Sequence, residues 1–164
     1  LKDTCDFWAV NVYTRQLINS RKEMFRFDRY EASSIHSLDV PYFSDDICPE
    51  VIYHCLNRLK DKPVLITENG IACKNDKYRI IYIAAVLQAV KQAMDSGVKV
   101  LGYLHWSLLD NWEWGTYTPT FGLASVDHET YKRTLKPSGY FYGEIVENNA
   151  LTLNVIKKYY SNNI

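Results

Sequence analysis

A carboxylate at the end of an apolar run is the group in this chain best placed to do chemistry. Residues 64–66, read VLI, are typical of a buried parallel strand, and they run directly into the polar sequence TENG at residues 67–70. Glu68 therefore stands at the C-terminal end of a strand, where α/β architectures place their catalytic groups. A carboxylate in such a position can attack an electrophilic carbon. We predict that Glu68 is a catalytic nucleophile.

Polar and aromatic side chains also gather at the ends of two other predicted strands. The strand over residues 6–14 brings Asn11 and Tyr13, and the strand over residues 98–106 brings Trp106. Parallel strands that end at one rim bring such groups together. The loop that follows the strand over residues 98–106 adds further polar and aromatic groups, namely Asp110, Asn111, Glu113 and Trp114.

These residue types favour carbohydrate chemistry. A phenol such as Tyr13 would hold an ionised Glu68 in place by donating a hydrogen bond. The indole faces of Trp106 and Trp114 can stack on the C–H face of a sugar, while Glu113 accepts from its hydroxyl groups.

The elements that position these groups alternate between strand and helix. A helix with N-caps offered by Asp45 and Asp46 has Pro49 in its first turn and ends near Lys62. Asp76 caps a long helix that Gly97 stops. The apolar face of that helix comprises Ile80, Ile83, Ala84, Leu87, Val90, Ala93 and Met94.

The C-terminal third continues the same alternation. A short strand over residues 123–127 precedes a helix over residues 136–149, entered through Pro137. Residues 15–45 lack clear periodicity and are predicted to form a functional loop, and residues 151–164 fit either a helix or a strand. The order predicts a parallel α/β fold.

The amino-acid composition of the chain limits which classes of partner it could bind. The 164 residues carry 19 basic and 19 acidic side chains, so no basic stripe is present for nucleic acid or anionic lipid, and a neutral small molecule fits better. No apolar run is long enough to span a membrane and no signal peptide is visible, so we expect a cytoplasmic protein, although the missing initiator Met leaves the true N-terminus open. The four cysteines are expected to be reduced core thiols.

Six sequence words resemble those of the family 1 glycoside hydrolases, which include β-glucosidases, β-galactosidases and 6-phospho-β-glycosidases. The words occur in the family's order, and the second and fourth are the most specific: DFWAVNVYT, ITENG, DKYRIIYI, GYLHWSLLDNWEW, FGLASVD and KPSGYFYGEI. The resemblance implies a retaining glycosidase that needs no cofactor and no metal.

The resemblance also implies a role for each candidate residue. Glu68 would be the nucleophile, Tyr13 would hydrogen-bond it, and Asn11 would line the subsite for the cleaved sugar. Trp106 would form the floor of that subsite, with Glu113 and Trp114 on the outer hydroxyl groups. Family members that act on phosphorylated sugars tend to carry Ser and Lys near Glu113, so a β-linked glucoside without phosphate is favoured.

The chain departs from the family pattern chiefly by what it lacks. Val12, Val86 and Thr120 replace the usual Tyr, His and Arg, and the segment between Trp114 and Phe121 is one residue short. The family's acid/base Glu lies in an Asn-Glu-Pro word, which is absent from this chain. A complete (β/α)₈ TIM barrel takes about 250 residues. The resemblance therefore implies the C-terminal portion of a barrel, about strands six to eight with their helices.

We accordingly expect residues 1–164 to form a single partial catalytic domain, with residues 150–164 as a C-terminal tail. The partner would be the missing N-terminal barrel half or a second copy that covers the open edge. The chain alone is expected to be inactive. The alternative is a non-catalytic carbohydrate-binding or interaction module derived from a glycosidase barrel.

Other residues have simpler interpretations. His105 lies one step from Trp106, so it should point to the other face of the strand as a satisfied interior histidine. No histidine has partners at metal-ligand spacing, and Cys48 and Cys55 fall two helical turns apart as core residues.

Overall fold

Three parallel strands carry the candidate site. The computed structural model describes residues 4–15 and 47–161. Its strands are β1 (Trp8–Asn11), β2 (Val64–Asn69), β3 (Val100–His105), β4 (Ala124–Val126) and β5 (Arg133–Leu135). Its helices are α1 (Val51–Arg58), α2 (Asp76–Asp95), α3 (Pro137–Asn148) and α4 (Leu153–Ser161). Most of the predicted loop over residues 15–45, and the predicted caps Asp45 and Asp46, lie outside the described residues.

The sheet has the order β1-β2-β3, with both pairs parallel, which confirms the predicted strand arrangement. Val64 pairs with Trp8 on one side and with Val100 on the other. The register shifts between Val64 and Leu65 at the start of β2, between Val10 and Asn11, and between Ile66 and Asn69. The last two irregularities fall at the C-terminal ends of the strands, where a shift re-aims the side chains next to a site.

The main core lies between this sheet and helices α1 and α2. Val64 and Ile66 of β2 are fully buried there, together with Ile52 and Leu56 of α1. The interpretation of residues 98–106 as a buried strand is wrong in part, because Leu101 and Leu104 are 50% and 53% exposed. The helices cover one face of the sheet, so β3 carries half-buried and exposed side chains rather than fully buried ones.

The start of α2 corrects one predicted cap. Asn75, not Asp76, caps α2: its side chain accepts a hydrogen bond from the Lys77 amide at 3.1 Å. Asp76 is instead the first helical residue, and its carboxylate accepts from the backbone amide and hydroxyl group of Ser138 at 2.6 and 2.8 Å. Asp76 thus joins the start of α2 to the start of α3.

Helix α1 is shorter than predicted, since it begins after Pro49 and ends at Arg58 rather than near Lys62. Met94 does not belong to the buried face of α2, because it is 47% exposed near the end of the helix. Helix α2 buries residues on two flanks. One flank packs on the sheet, and the other packs on α3 and α4.

The C-terminal third adds a hairpin that the sequence did not indicate. Strand β4, predicted within residues 123–127, pairs antiparallel with β5. Helix α3 begins at Pro137 as predicted. The last described residues form α4, whose buried Val155 packs in the cluster that holds Phe141 and Ile145. Across the described residues, no helix is both long and apolar enough to cross a membrane.

Candidate active site

Glu68 and Tyr13 meet at the C-terminal end of the sheet, as predicted. Glu68 is the next-to-last residue of β2, and Tyr13 lies two residues beyond the end of β1. Pairing of the two strands places Asn11 opposite Glu68, and the Val12 amide donates to the Glu68 carbonyl at 3.0 Å. The Tyr13 hydroxyl group then donates to Glu68 Oε2 at 2.9 Å. A charge-assisted bond of this kind fixes the direction of the carboxylate.

The surroundings of Tyr13 keep it a donor. Burial, the hydrogen bond to Glu68 and the negative charges of Glu68 and Glu113 all raise the pKa of Tyr13 far above its ordinary value. The phenol therefore stays protonated at neutral pH. Its ring meets the ring of Phe121 edge-on, with centroids 6.2 Å apart, which limits the movement of the side chain.

Asn11 is held by a residue that sequence reasoning did not single out. Thr67 Oγ1 lies 2.7 Å from Asn11 Oδ1 and 3.1 Å from the Val10 carbonyl oxygen. Thr67 directly precedes Glu68, so the contact ties the Asn11 side chain to the strand that carries the carboxylate. The sequence signal was only the position of Thr67 in the TENG word.

Trp106 and Glu113 form the second side-chain pair of the site. The Trp106 indole Nε1 donates to Glu113 Oε1 at 2.9 Å, and Glu113 is only 5% exposed. Glu113 and Thr116 exchange backbone hydrogen bonds of 2.8 and 3.2 Å across a two-residue turn. Both central residues of this turn, Trp114 and Gly115, have positive φ, the conformation of a tight type I′ hairpin. The turn directs Glu113 inward.

Trp114 lies at the tip of that turn and is 82% exposed. Its predicted contact with a sugar's outer hydroxyl groups stays a prediction. The neighbouring Trp112 meets Tyr117 edge-on with centroids 4.8 Å apart, and Tyr117 in turn lies 4.2 Å from the ring of His128. These ring contacts lie outside the Trp106–Glu113 pair and support the loop.

Gly70 allows the strand that carries Glu68 to approach Trp106 closely. The Trp106 amide donates to the Asn69 carbonyl at 2.8 Å. A Cβ atom at position 70 would lie only 1.8 Å from the Trp106 carbonyl oxygen. A residue without a side chain is therefore required directly after the Glu68-Asn69 pair.

The polar residues of the loop after β3 are used mainly for structure. Asp110 accepts from the Gly122 amide and from Lys136 Nζ, each at 2.8 Å, and the side chains of this ion pair are mostly buried. Asn111 Nδ2 donates to Ser107 Oγ at 3.1 Å. These bonds anchor the base of the loop, beyond which Glu113 reaches the site.

His105 is an interior residue, but only one of its two ring nitrogens has a hydrogen-bond partner among the described residues. Burial lowers its pKa to about 3, so the ring is neutral at physiological pH. Nδ1 lies 3.1 Å from the Tyr103 hydroxyl oxygen. Nε2 is buried and has no hydrogen-bond partner among the described residues. The prediction of an interior histidine is confirmed, but that of full hydrogen bonding is wrong within this part of the chain.

Metal-ligating groups do not converge in the described ranges. Residues 4–15 and 47–161 contain no cluster of three or more His, Cys, Asp or Glu side chains able to hold an ion. The four cysteines are thiols rather than disulfides, with Cys48 and Cys73 buried and Cys5 and Cys55 half-buried. Cys48 precedes α1 rather than lying on its face.

Comparison with known proteins places this geometry in a family. Residues 1–151 match the model of glycosyl hydrolase family 1. The chain is 35% identical over 93% of its length to a 1,4-β-D-glucan glucohydrolase of Thermotoga neapolitana, and 36% identical over 93% to a β-galactosidase of Saccharolobus solfataricus. It spans 37% and 33% of those two proteins, about a third of their length.

Solved structures agree in fold. A β-glycosidase from Pyrococcus horikoshii superimposes with a TM-score of 0.79 at 35% identity, over 94% of this chain and 37% of that one. A β-glucosidase from Thermotoga maritima in complex with azafagomine gives a TM-score of 0.79 at 34% identity, over 90% of this chain and 36% of that one. Family 1 glycosidases are TIM barrels, and this chain corresponds to part of one. The chain belongs to glycosyl hydrolase family 1.

Proposed function

We propose that this chain is the nucleophile-bearing part of a retaining β-glucosidase, formed by barrel strands six to eight as β1, β2 and β3. The observation that carries the proposal is the 2.9 Å hydrogen bond from the Tyr13 phenol to Glu68 at the ends of two paired strands. It joins a carboxylate with a fixed direction to a rim where Trp106 and the buried Glu113 form a second pair. Residues 1–164 then constitute one partial catalytic domain, with residues 150–164 as its tail.

The chemistry proceeds through a covalent intermediate. Because Oε2 of Glu68 accepts from Tyr13, Oε1 is the oxygen left to attack the anomeric carbon. A new bond forms between Oε1 and that carbon while the glycosidic C–O bond breaks, and the departing oxygen takes a proton from an acid. Water then attacks the same carbon, gives its proton to the conjugate base and releases Glu68, so the configuration is retained.

The proton-transfer carboxyl group comes from outside this chain in our proposal. A retaining enzyme holds its two carboxyl groups about 5 to 5.5 Å apart. The family's Asn-Glu-Pro word is absent from the 164 residues. We propose that the remaining barrel strands, which also cover the open edges of β1 and β3, supply it. A second copy of this chain on the same edge is the alternative partner.

The substrate we propose is an unphosphorylated β-linked glucoside. Asn11, Trp106 and Glu113 would line the subsite for the cleaved sugar, with Trp114 at its outer side. A buried carboxylate at Glu113 accepts hydrogen bonds from hydroxyl groups but repels a phosphate. Among the proteins named above, the glucan glucohydrolase and the β-glucosidase support a glucoside as substrate, whereas the β-galactosidase is named for a galactoside.

An activated fluorinated substrate tests the nucleophile without the missing acid. In 2,4-dinitrophenyl 2-deoxy-2-fluoro-β-glucoside the leaving group departs without protonation, and the fluorine slows release of the glycosyl-enzyme. We expect mass spectrometry of the 164-residue chain to find one 2-deoxy-2-fluoroglucosyl adduct, on the peptide that contains Glu68, with dinitrophenolate released. Glu68→Gln abolishes the adduct, and the matched control Glu147→Gln, at an exposed carboxylate of α3, keeps it.

The outcome separates the enzyme from a binding module. An adduct on another residue, or none after long incubation, would contradict the proposed nucleophile. Binding of the fluoroglucoside without any adduct would favour the carbohydrate-binding module instead. The same chain should show little or no turnover of an aryl β-glucoside whose leaving group needs an acid.

A further inference from the structure

The segment that carries Tyr13 lies beyond the β ladder, so other contacts must fix it. Strand β1 ends at Asn11, and residues 12–15 have no regular structure. Two consecutive carbonyl oxygens of this segment are held by side chains from other elements. Asn69 Nδ2 donates to the Val12 carbonyl at 2.6 Å, and the Tyr82 hydroxyl group donates to the Tyr13 carbonyl at 3.2 Å.

The direction of each bond follows from a count of donors. The Val12 carbonyl oxygen can only accept, so the Asn69 atom that faces it is the amide nitrogen Nδ2, whose two hydrogens are both available for donation, while Oδ1 accepts from Tyr103 at 2.8 Å. Those hydrogens go to the Val12 carbonyl and, at 3.0 Å, to the Tyr82 hydroxyl oxygen. Since that oxygen accepts from Asn69, its own hydrogen is free for Tyr13.

Tyr82 keeps this hydrogen at every physiological pH. It lies on α2, only 4% exposed, and burial raises its pKa to about 12 although the bond from Asn69 opposes the rise. The ring belongs to the main core, where it packs with Val12 and Val86. The ring of Tyr82 therefore packs in the apolar core, while its hydroxyl group bonds the segment that carries Tyr13.

We propose that Tyr82 is a positioning residue for the nucleophile: its hydroxyl group holds the Tyr13 carbonyl and thereby the Tyr13 phenol against Glu68. The inference rests on the proposed role of Glu68. The Tyr13–Glu68 pair thus becomes a series of three residues. The Tyr82 hydroxyl group on α2 holds the backbone of Tyr13, and the Tyr13 phenol holds the Glu68 carboxylate. Sequence reasoning missed Tyr82 because it lies among the apolar residues of the long helix.

The test measures the Tyr13–Glu68 bond directly in the 164-residue chain. Tyrosines are labelled with ¹³C at the ring carbon that bears the hydroxyl group, whose chemical shift reports hydrogen-bond donation. Loss of one signal in Tyr13→Phe assigns Tyr13. Glu68→Gln then gives the reference position, because it replaces the charge-assisted bond with a weaker neutral one.

Tyr82→Phe removes only the hydroxyl group. We expect the Tyr13 signal of this variant to shift toward its position in Glu68→Gln. In the double variant, the Tyr82 change should cause a smaller shift than it does with Glu68 present, because the bond it supports has already been weakened. Tyr142→Phe is the matched control: it removes a hydroxyl group that donates to the Tyr103 backbone carbonyl at 3.0 Å, and it leaves the Tyr13 signal in place.

Two results would overturn the inference. The Tyr13 signal could stay at its original position in Tyr82→Phe, or it could shift equally with and without Glu68, which would indicate a general change of packing. If Tyr82→Phe lowers stability, sucrose restores the folded state for all variants in the same solution. The readout needs no turnover, so this inference can fail while Glu68 is still labelled by the fluoroglucoside.

Discussion

A methyl group added at position 70 should disrupt the site next to Glu68. The Cβ of Gly70→Ala would lie 1.8 Å from the Trp106 carbonyl oxygen and 2.9 Å from its carbonyl carbon. Both are backbone atoms, so no rotamer change relieves the contact. The end of β2 and the backbone at Trp106 must separate by at least about 1.2 Å to reach the shortest distance that real Cβ atoms show.

The expected cost has two parts. Forcing an extra carbon into a packed site costs about 1–3 kcal/mol of folding free energy. For a chain of this size each kcal/mol lowers Tm by about 2–4 °C. Displacement of Trp106 from Glu68 by about 1 Å should also slow the labelling of Glu68 by about 100-fold, since chemistry at a positioned group is that sensitive to geometry.

Gly143→Ala is the matched control for this change. Gly143 lies inside α3, and a Cβ there meets no atom within 4 Å. Replacing a helical glycine with alanine stabilises by about 0.5–1 kcal/mol, so this variant should melt slightly higher and label at the original rate. Thermal unfolding followed by circular dichroism and the rate of fluoroglucoside labelling are measured for both variants. If Gly70→Ala melts and labels as Gly143→Ala does, the close approach of Gly70 to Trp106 does not build the site.

Two further predictions concern charged and titratable groups. Lys136→Met should lower the free energy of unfolding by about 3 kcal/mol, because it leaves Asp110, whose side chain is only 11% exposed, without its ion-pair partner. Urea denaturation measures this loss. The control Lys158→Met, at an exposed pair, should leave the denaturation midpoint unchanged. A loss as small in Lys136→Met as in Lys158→Met would contradict it. His105 stays neutral in the fold down to about pH 3, whereas the unfolded chain protonates it near 6.5, so its contribution to stability falls as the pH drops through that window. Between pH 7 and pH 4 the free energy of unfolding of the original chain should fall by about 3 kcal/mol more than that of His105→Asn. Equal decreases in the two proteins would refute the conclusion that His105 stays neutral in the fold.

Much of the fold could be predicted because its signals are local. The VLI run before TENG indicated β2, and Pro137 indicated the first turn of α3. Strand β5 gave no such signal, since residues 133–135 are all exposed and form a strand only by pairing with β4. The exposure of Leu101 and Leu104 was missed for the same kind of reason: an apolar sequence does not say which face of a sheet the helices cover.

The sequence by itself determined which chemical groups stand at the strand ends. Glu68 and Trp106 occur in short words whose residue types already suggest sugar chemistry. What only the tertiary structure decided is which groups meet. Tyr13 and Glu68 are 55 positions apart and touch because β1 pairs with β2. Tyr82 looks like a core residue of α2 until its hydroxyl group is found on the Tyr13 carbonyl, because a hydrogen bond depends on distance and direction in space, which residue order does not encode.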